Sequence, residues 1–262
     1  MSGRIRVGVG GWTYEPWRGL FFPPGLKAKE ELAHASRRLT AIEINGTFYR
    51  TQTPAVFAKW ASETPDDFVF AVKAHRFAAQ RKTAEEAREP VQRFVNSGLA
   101  ELGPKLGPIN WQFDPRRSFD PEHIDAFLGL LPRELNGRPL RHALEVRHPS
   151  FADPRFVELL RKHGVAPVYT DAEDWPSIPD PTADFVYARL QRACEEESCG
   201  YAPGDLERWT VAARAWADGA SPEGLPLFLP PAPVQARDVF VFFISGHKAH
   251  NPAAAEAMLA RL

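Results

Sequence analysis

The stretch that decides the fold runs from residue 41 to residue 73: Ala41-Ile-Glu-Ile44, then Asn45-Gly-Thr-Phe-Tyr49, then Pro54-Ala-Val-Phe-Ala-Lys-Trp60, then Phe68-Val-Phe-Ala-Val-Lys73. The first and last pieces are short apolar runs of the kind that strands prefer. Between them, Val56, Phe57 and Trp60 stand at helical spacing. Strand, helix and strand in that order read as one unit of a parallel sheet with a crossover helix.

The same alternation extends in both directions. Strand-like runs occupy 5–10, 41–44, 68–72, 108–113, 142–146, 166–169, 185–190 and 239–244. Helical patterns fill 26–39, 54–63, 83–98, 121–131, 154–163, 205–217 and 251–262. Asp120 and Asp153 precede prolines as N-caps do, and Gly164 suits a helix stop. The third helical interval is long enough to hold extra elements, and 172–181 and 218–233 read as loops. Strand then helix, repeated about eight times in 262 residues, predicts an α/β protein with a single (β/α)8 TIM-type barrel, one domain spanning 1–262. No Gly-x-Gly-x-x-Gly turn supports a dinucleotide-binding fold instead.

Composition narrows the function classes. The chain is 44% hydrophobic and 25% charged, ordinary for a globular protein and unlike a disordered or collagenous one. Lys plus Arg number 32 against 33 for Asp plus Glu, which argues against nucleic-acid binding through bulk charge. Cys194 and Cys199 read as two thiols on a polar loop, because zinc would need two more ligands at compatible spacing. The basic residues near the N-terminus precede no long apolar stretch, so no signal peptide is expected. No apolar run reaches the roughly 18 residues of a membrane helix. A cytoplasmic location and no membrane association are therefore expected.

Charge collects where the strand runs end. Glu43 and Asn45 follow the second, Lys73 and His75 the third, Glu145, Arg147 and His148 the fifth. Asp171 follows the sixth, Arg189 and Gln191 lie on and after the seventh, and the fourth offers Gln112. Residues i and i+2 of a strand share a side, and a barrel's active site lies at the C-terminal mouth. The site reading requires Glu43, Lys73, Glu145 and Asp171 to converge in one cavity. The bland alternative is a satisfied polar layer, with Glu145 paired to Arg147 or Lys73 and Asp171 paired to Arg189. For Lys73 in particular, a salt bridge to Glu145 or Glu43 is the plainer role.

Several segments together resemble the DUF72 (YecE-like) family. They are Val7-Gly-Val-Gly-Gly-Trp-Thr-Tyr14, Trp17-Arg-Gly19, Phe21-Phe-Pro23, Ile42-Glu-Ile-Asn-Gly-Thr-Phe-Tyr-Arg50, Trp60, Thr64-Pro65, Phe70-Ala-Val-Lys-Ala74, Leu106-Gly-Pro108, Gln112 and Glu145-Val-Arg-His148. The resemblance covers nearly the whole chain and implies a TIM barrel whose biochemical function is not settled. Two departures stand out. Gln191-Arg192 occupy the place of a His-Gly pair after the seventh strand, and Ile244-Ser-Gly-His247 replaces an Asn-Asn-Asp-like segment after the eighth. His247 is the nearby polar replacement. These losses at Gln191-Arg192 and Ser245-Gly246 motivate a non-catalytic binding or regulatory barrel as one alternative.

The leading expectation is an enzyme acting on a polar or anionic small molecule by proton transfer or hydrolysis. Glu43, Lys73, His75, Glu145 and Asp171 are its candidate catalytic residues. Trp12, Asn45, Tyr49, Gln112, Arg147 and Arg189 are its candidate ligand-binding residues, with Arg147 or Arg189 gripping a carboxylate or phosphate and aromatics stacking on a ring. A divalent metal is the sharper alternative cofactor, because Glu43, His75, Glu145, His148 and Asp171 are suitable ligand types. A metal-dependent nucleic-acid-processing enzyme follows from it, with the basic run 75–82 as a phosphate contact, although nucleic acid is the less favoured partner. Substrate and oligomeric state are not read from the sequence.

Overall fold

A computed structural model describes residues 2–262. Eight parallel strands close into a barrel: β1 Ile5–Gly10, β2 Ala41–Ile44, β3 Val69–Lys73, β4 Leu106–Gln112, β5 His142–Glu145, β6 Ala166–Thr170, β7 Phe185–Leu190 and β8 Asp238–Phe243. Each strand pairs with its sequence neighbours, and β1 closes the ring by pairing with both β2 and β8, with Gly8 opposite Ala41 and Val7 opposite Val241. The helices are α1 Glu31–Arg38, α2 Pro54–Ser62, α3 Arg76–Ala79, α4 Ala84–Val95, α5 Pro121–Leu130, α6 Pro154–His163, α7 Pro203–Ala217 and α8 Asn251–Leu259. The protein is thus an α/β (β/α)8 barrel, as the alternation predicts.

The expected elements shift by a few residues at their ends. β3 includes Lys73, β4 starts at Leu106, and β5 stops at Glu145. The long third interval holds two helices, α3 and α4, and a 3-10 segment from Leu99 to Lys105. The helix starts follow their caps: Asp153 accepts a hydrogen bond from the Arg155 amide at 2.8 Å, and Asp120 accepts one from the His123 amide at 3.1 Å. Gly164 ends α6 with φ of 65°, which a residue with a Cβ adopts at a cost.

Two apolar clusters divide the interior. The larger lies between strands and helices and contains Val72, Trp111, Leu144, Tyr169 and Leu190. The smaller contains Ala41, Ala71, Ala143, Val168, Phe185, Tyr187, Phe240 and Phe242. Along β5, Ala143 and Leu144 fall in different clusters, as do Val168 and Tyr169 along β6. This is the period-two alternation of a strand, with the smaller cluster filling the barrel. Small side chains on β2, β3 and β5 face the large rings of β7 and β8. No helix among the described residues is long and apolar enough to cross a membrane. Both cysteines are free thiols.

Candidate functional site

The strand alternation that fills the barrel also builds its mouth. Two residues beyond Ala41, Ala71, Ala143 and Tyr187 stand Glu43, Lys73, Glu145 and Arg189, on the same inner faces. The inner columns therefore run apolar below and charged above. All four charged side chains are buried, Glu43 at 0% and Lys73 at 8% exposure.

Arg189 joins both carboxylates. It donates from one terminal nitrogen to Glu145 Oε2 at 2.7 Å and from the other to Glu43 Oε1 at 3.1 Å. Glu145 Oε1 also accepts from Gln112 Nε2 at 2.6 Å and from Arg147 at 2.7 and 3.0 Å. Glu43 Oε2 accepts from the Tyr187 hydroxyl at 2.5 Å. Asn110 Nδ2 donates to Glu145 Oε2 at 3.2 Å and Glu43 Oε2 at 3.4 Å. Burial alone would raise the Glu145 carboxyl, but Arg189, Arg147 and Lys73 outweigh it and hold it well below the usual carboxylate range. Such a carboxylate is a weak base, and its geometry suits it to orienting Arg147 and Arg189. Burial holds Tyr187 protonated, helped by the facing Glu43.

Above this layer lies a cavity of about 450 Å³, within the usual range for small-molecule sites. Lys73, Arg147, Arg189 and Lys248 line it, with Trp12, Asn45, Tyr49 and Gln112. Gly10 forms part of the wall, and a Cβ there would stand 2.6 Å from Asn45 Nδ2, so glycine leaves the amide its place. The Thr47 hydroxyl lies 2.6 Å from the Lys73 carbonyl and ties the turn after β2 to the end of β3. Arg147 stacks on the Trp175 ring with its guanidinium carbon 4.8 Å from the centroid.

Lys73 corrects an expectation. Among the described residues its Nζ has neither a carboxylate within 4 Å nor a hydrogen-bond acceptor, because Arg189 occupies the place in the network that a Lys73 salt bridge would take. The ammonium rests instead 4.5 Å from the centre of the Phe48 ring. Burial, with the Arg189 charge next, lowers its pKa to about 8, against the partial pull of Glu145 and Glu43.

Asp171 corrects another: the four-residue convergence fails at this position. It follows Thr170 by one place and so falls on the phase of Tyr169, which packs outside the barrel. Its carboxylate accepts from the Gln191 amide at 2.6 Å and the Tyr201 hydroxyl at 3.0 Å, not from Arg189. Burial there raises its pKa. It borders a separate groove of about 1180 Å³ along α7. That groove is larger, but it does not contain the buried ionic network or Lys73.

His75 also leaves the mouth. The strand ends at Lys73, and His75 caps α3 by accepting from the Phe77 amide at 3.3 Å. His148 likewise caps a turn through Ser150. The five candidate metal ligands are therefore not assembled, and no group of three or more His, Cys, Asp or Glu among the described residues is placed to hold a metal ion. The basic run leads to a cluster whose Arg116 is bound to Asp114 at 2.9 Å and whose Arg117 stacks on Phe113. Gln191 folds back to Thr170 Oγ1 at 2.9 Å and Arg192 pairs with Glu173 at 3.0 Å, and neither lines the cavity. His247 stacks on His250 away from that wall, and the neighbouring Ser245 and Lys248 line it.

The sequence reading missed Asn110, Tyr187, Lys248, Asn251 and Trp175. Parity was the available signal for the first two: Asn110 precedes Gln112 by two residues and Tyr187 precedes Arg189 by two. The other three come from loops and a helix start, where no strand period operates.

Fold and mouth together define a (β/α)8-barrel protein with a cation-rich cavity over a buried ionic network. Within that class the chain belongs to the DUF72 family, whose model, described as "Protein of unknown function DUF72", matches residues 6–262. A UPF0759 protein, YunF, of Bacillus subtilis (strain 168) is 26% identical over 159 residues, 59% of this chain and 54% of that protein. The matched part thus spans about half the length of that relative. A DUF72 family protein from Thermotoga maritima superposes with a TM-score of 0.73 at 21% identity, over 98% of each chain. A structure of D-psicose 3-epimerase in the presence of D-fructose superposes with a TM-score of 0.55 at 12% identity, over 98% of this chain and 96% of that one. That similarity is one of fold.

Proposed function

We propose that the protein is an enzyme that binds a small polar anion in the barrel mouth and acts on it by proton transfer, with the Lys73 amine as the reactive group. The observation that carries this reading is the charge inventory of the cavity. Lys73, Arg147, Arg189 and Lys248 line it, and the two carboxylates buried beneath, Glu43 and Glu145, are taken up by the arginines. Neither Lys73 nor Lys248 has a carboxylate partner within 4 Å among the described residues. An anion entering the cavity meets two unpaired ammonium groups, and at the buried Lys73 charge–charge attraction is stronger than in water. Arg147, whose Nε and Nη2 bond Glu145, keeps Nη1 to donate to a carboxylate or phosphate.

The metal-dependent nucleic-acid reading has lost its ligand set in the geometry described above, and the mouth offers a compact cavity rather than a backbone track. Thermal-shift titration with carboxylated and phosphorylated metabolites tests the proposal. Stabilisation is expected with anions and not with their neutral analogues, and Lys248→Met, an exposed position, should weaken it at least tenfold. Equal stabilisation of wild type and Lys248→Met, or no preference for anions over neutral analogues, contradicts the reading.

A further inference from the structure

We propose that Lys73 forms an imine with its substrate, and that the substrate is an aldehyde or ketone carrying a carboxylate or phosphate group. The inference rests on the anion-binding reading above and deepens it. Its basis is the placement of one amine. Lys73 ends β3 with its stem buried and its Nζ in the cavity wall. Phe48 covers one side of the ammonium, and no acceptor among the described residues holds it. A surface lysine is solvated, and a structural buried lysine is bonded, as Lys105 is to the carbonyls of Ala61 and Thr64 at 2.6 and 2.7 Å. Lys73 is neither.

Its surroundings favour the uncharged amine that carbonyl addition requires. With a pKa lowered to about 8, a useful fraction is neutral near pH 7, on the order of a tenth. Desolvation and a neighbouring cation are the recognised ways to activate a lysine nucleophile. Arg189 supplies that cation here, and Glu43 and Glu145, both bonded to arginine, offset the effect only in part.

The chemistry balances without an added oxidant or reductant. The amine lone pair attacks the carbonyl carbon, and the carbonyl π bond breaks to leave an alkoxide that takes a proton from the attacking nitrogen. Loss of the resulting hydroxyl as water, with one further proton, leaves a protonated C=N bond. One ammonium and one carbonyl thus become one iminium and one water. Arg147 and Lys248 are left to hold the anionic end of the substrate, and the iminium then draws electrons from the adjacent carbon.

Borohydride trapping tests this directly. Wild-type protein is incubated near pH 7 with glyoxylate, pyruvate or glyceraldehyde 3-phosphate, reduced, and mapped by peptide mass spectrometry. A reduced adduct on Lys73 is expected, forming at least tenfold faster than on the average surface lysine, for one or more of the three. Excess lactate or glycerol phosphate, which lack the carbonyl, should suppress it. Lys73→Met and Lys73→Arg should both lose the adduct while keeping a native circular-dichroism spectrum. Adducts spread over surface lysines without preference for Lys73, or no adduct on Lys73 while lactate or glycerol phosphate still stabilises the fold, overturn the imine and leave the anion-binding reading intact. No stabilisation by any anion, together with no adduct on Lys73, overturns both.

Discussion

Ser245 lines the cavity with φ of 70°, in the left-handed region. A side chain there costs roughly 1–2 kcal/mol of backbone strain. Asn251 Nδ2 donates to the Ser245 carbonyl at 3.2 Å and the His247 amide donates to Ala193 at 2.6 Å, which holds the turn in place. Ser245→Gly should relieve the strain, less about 0.5–1 kcal/mol of added unfolded-chain entropy. A rise in Tm of about 2 °C is expected in thermal unfolding, and a fall would mean that the hydroxyl does more than the backbone geometry implies. Single residues were also where the sequence reading succeeded or failed. Glu43, Lys73, Glu145 and Arg189 were legible because strand parity and the apolar-to-charged switch agree. Asp171 failed by one position: Thr170 takes the inner face of β6, so the next residue leaves the barrel. Strand ends set that parity, and ends are where local pattern says least.

At the scale of elements, β5 is tied to the barrel's outer layer by a histidine that must stay neutral. The Trp111 indole donates to His142 Nδ1 at 3.0 Å, and Nε2 lies 2.7 Å from the Pro132 carbonyl, so the bound tautomer carries its proton on Nε2. Burial lowers its pKa to about 4. The unfolded chain therefore binds a proton below about pH 6.5 that the folded one refuses. Stability from this residue is present above pH 6.5 and is lost as pH falls toward 4, by on the order of 3 kcal/mol. Denaturant unfolding between pH 7 and pH 4 should show that loss, and His142→Gln should flatten it. An unchanged slope in the variant would assign the loss to other groups. The caps Asp120, Asp153 and Gly164 were legible because each acts within one turn. The short α3 was not, because its start depends on a His75 cap that replaces a strand residue with a turn.

Over the whole molecule, a net charge of −1 hides an uneven distribution. Asp171 stood among the acids expected at the mouth. With that carboxylate outside the barrel, four cations line the cavity, and the two acids, Glu43 and Glu145, lie buried against the arginines beneath it. The barrel's closure makes this state: β2, β5 and β7 bring Glu43, Glu145 and Arg189 together, and β3 delivers Lys73 beside them without a partner. Eight strands and seven helical stretches are readable from period and composition, so the architecture is legible in the sequence. The unpaired amine is not, because pairing across a barrel depends on which of several charged side chains reaches a carboxylate first in space. A 13C NMR titration of lysine-labelled protein, with Lys73 assigned by the signal lost in Lys73→Met, tests that state most directly. A midpoint of about 8 is expected for Lys73. A Lys73 midpoint alongside the remaining lysines, near the ordinary value of about 10.4, would contradict it.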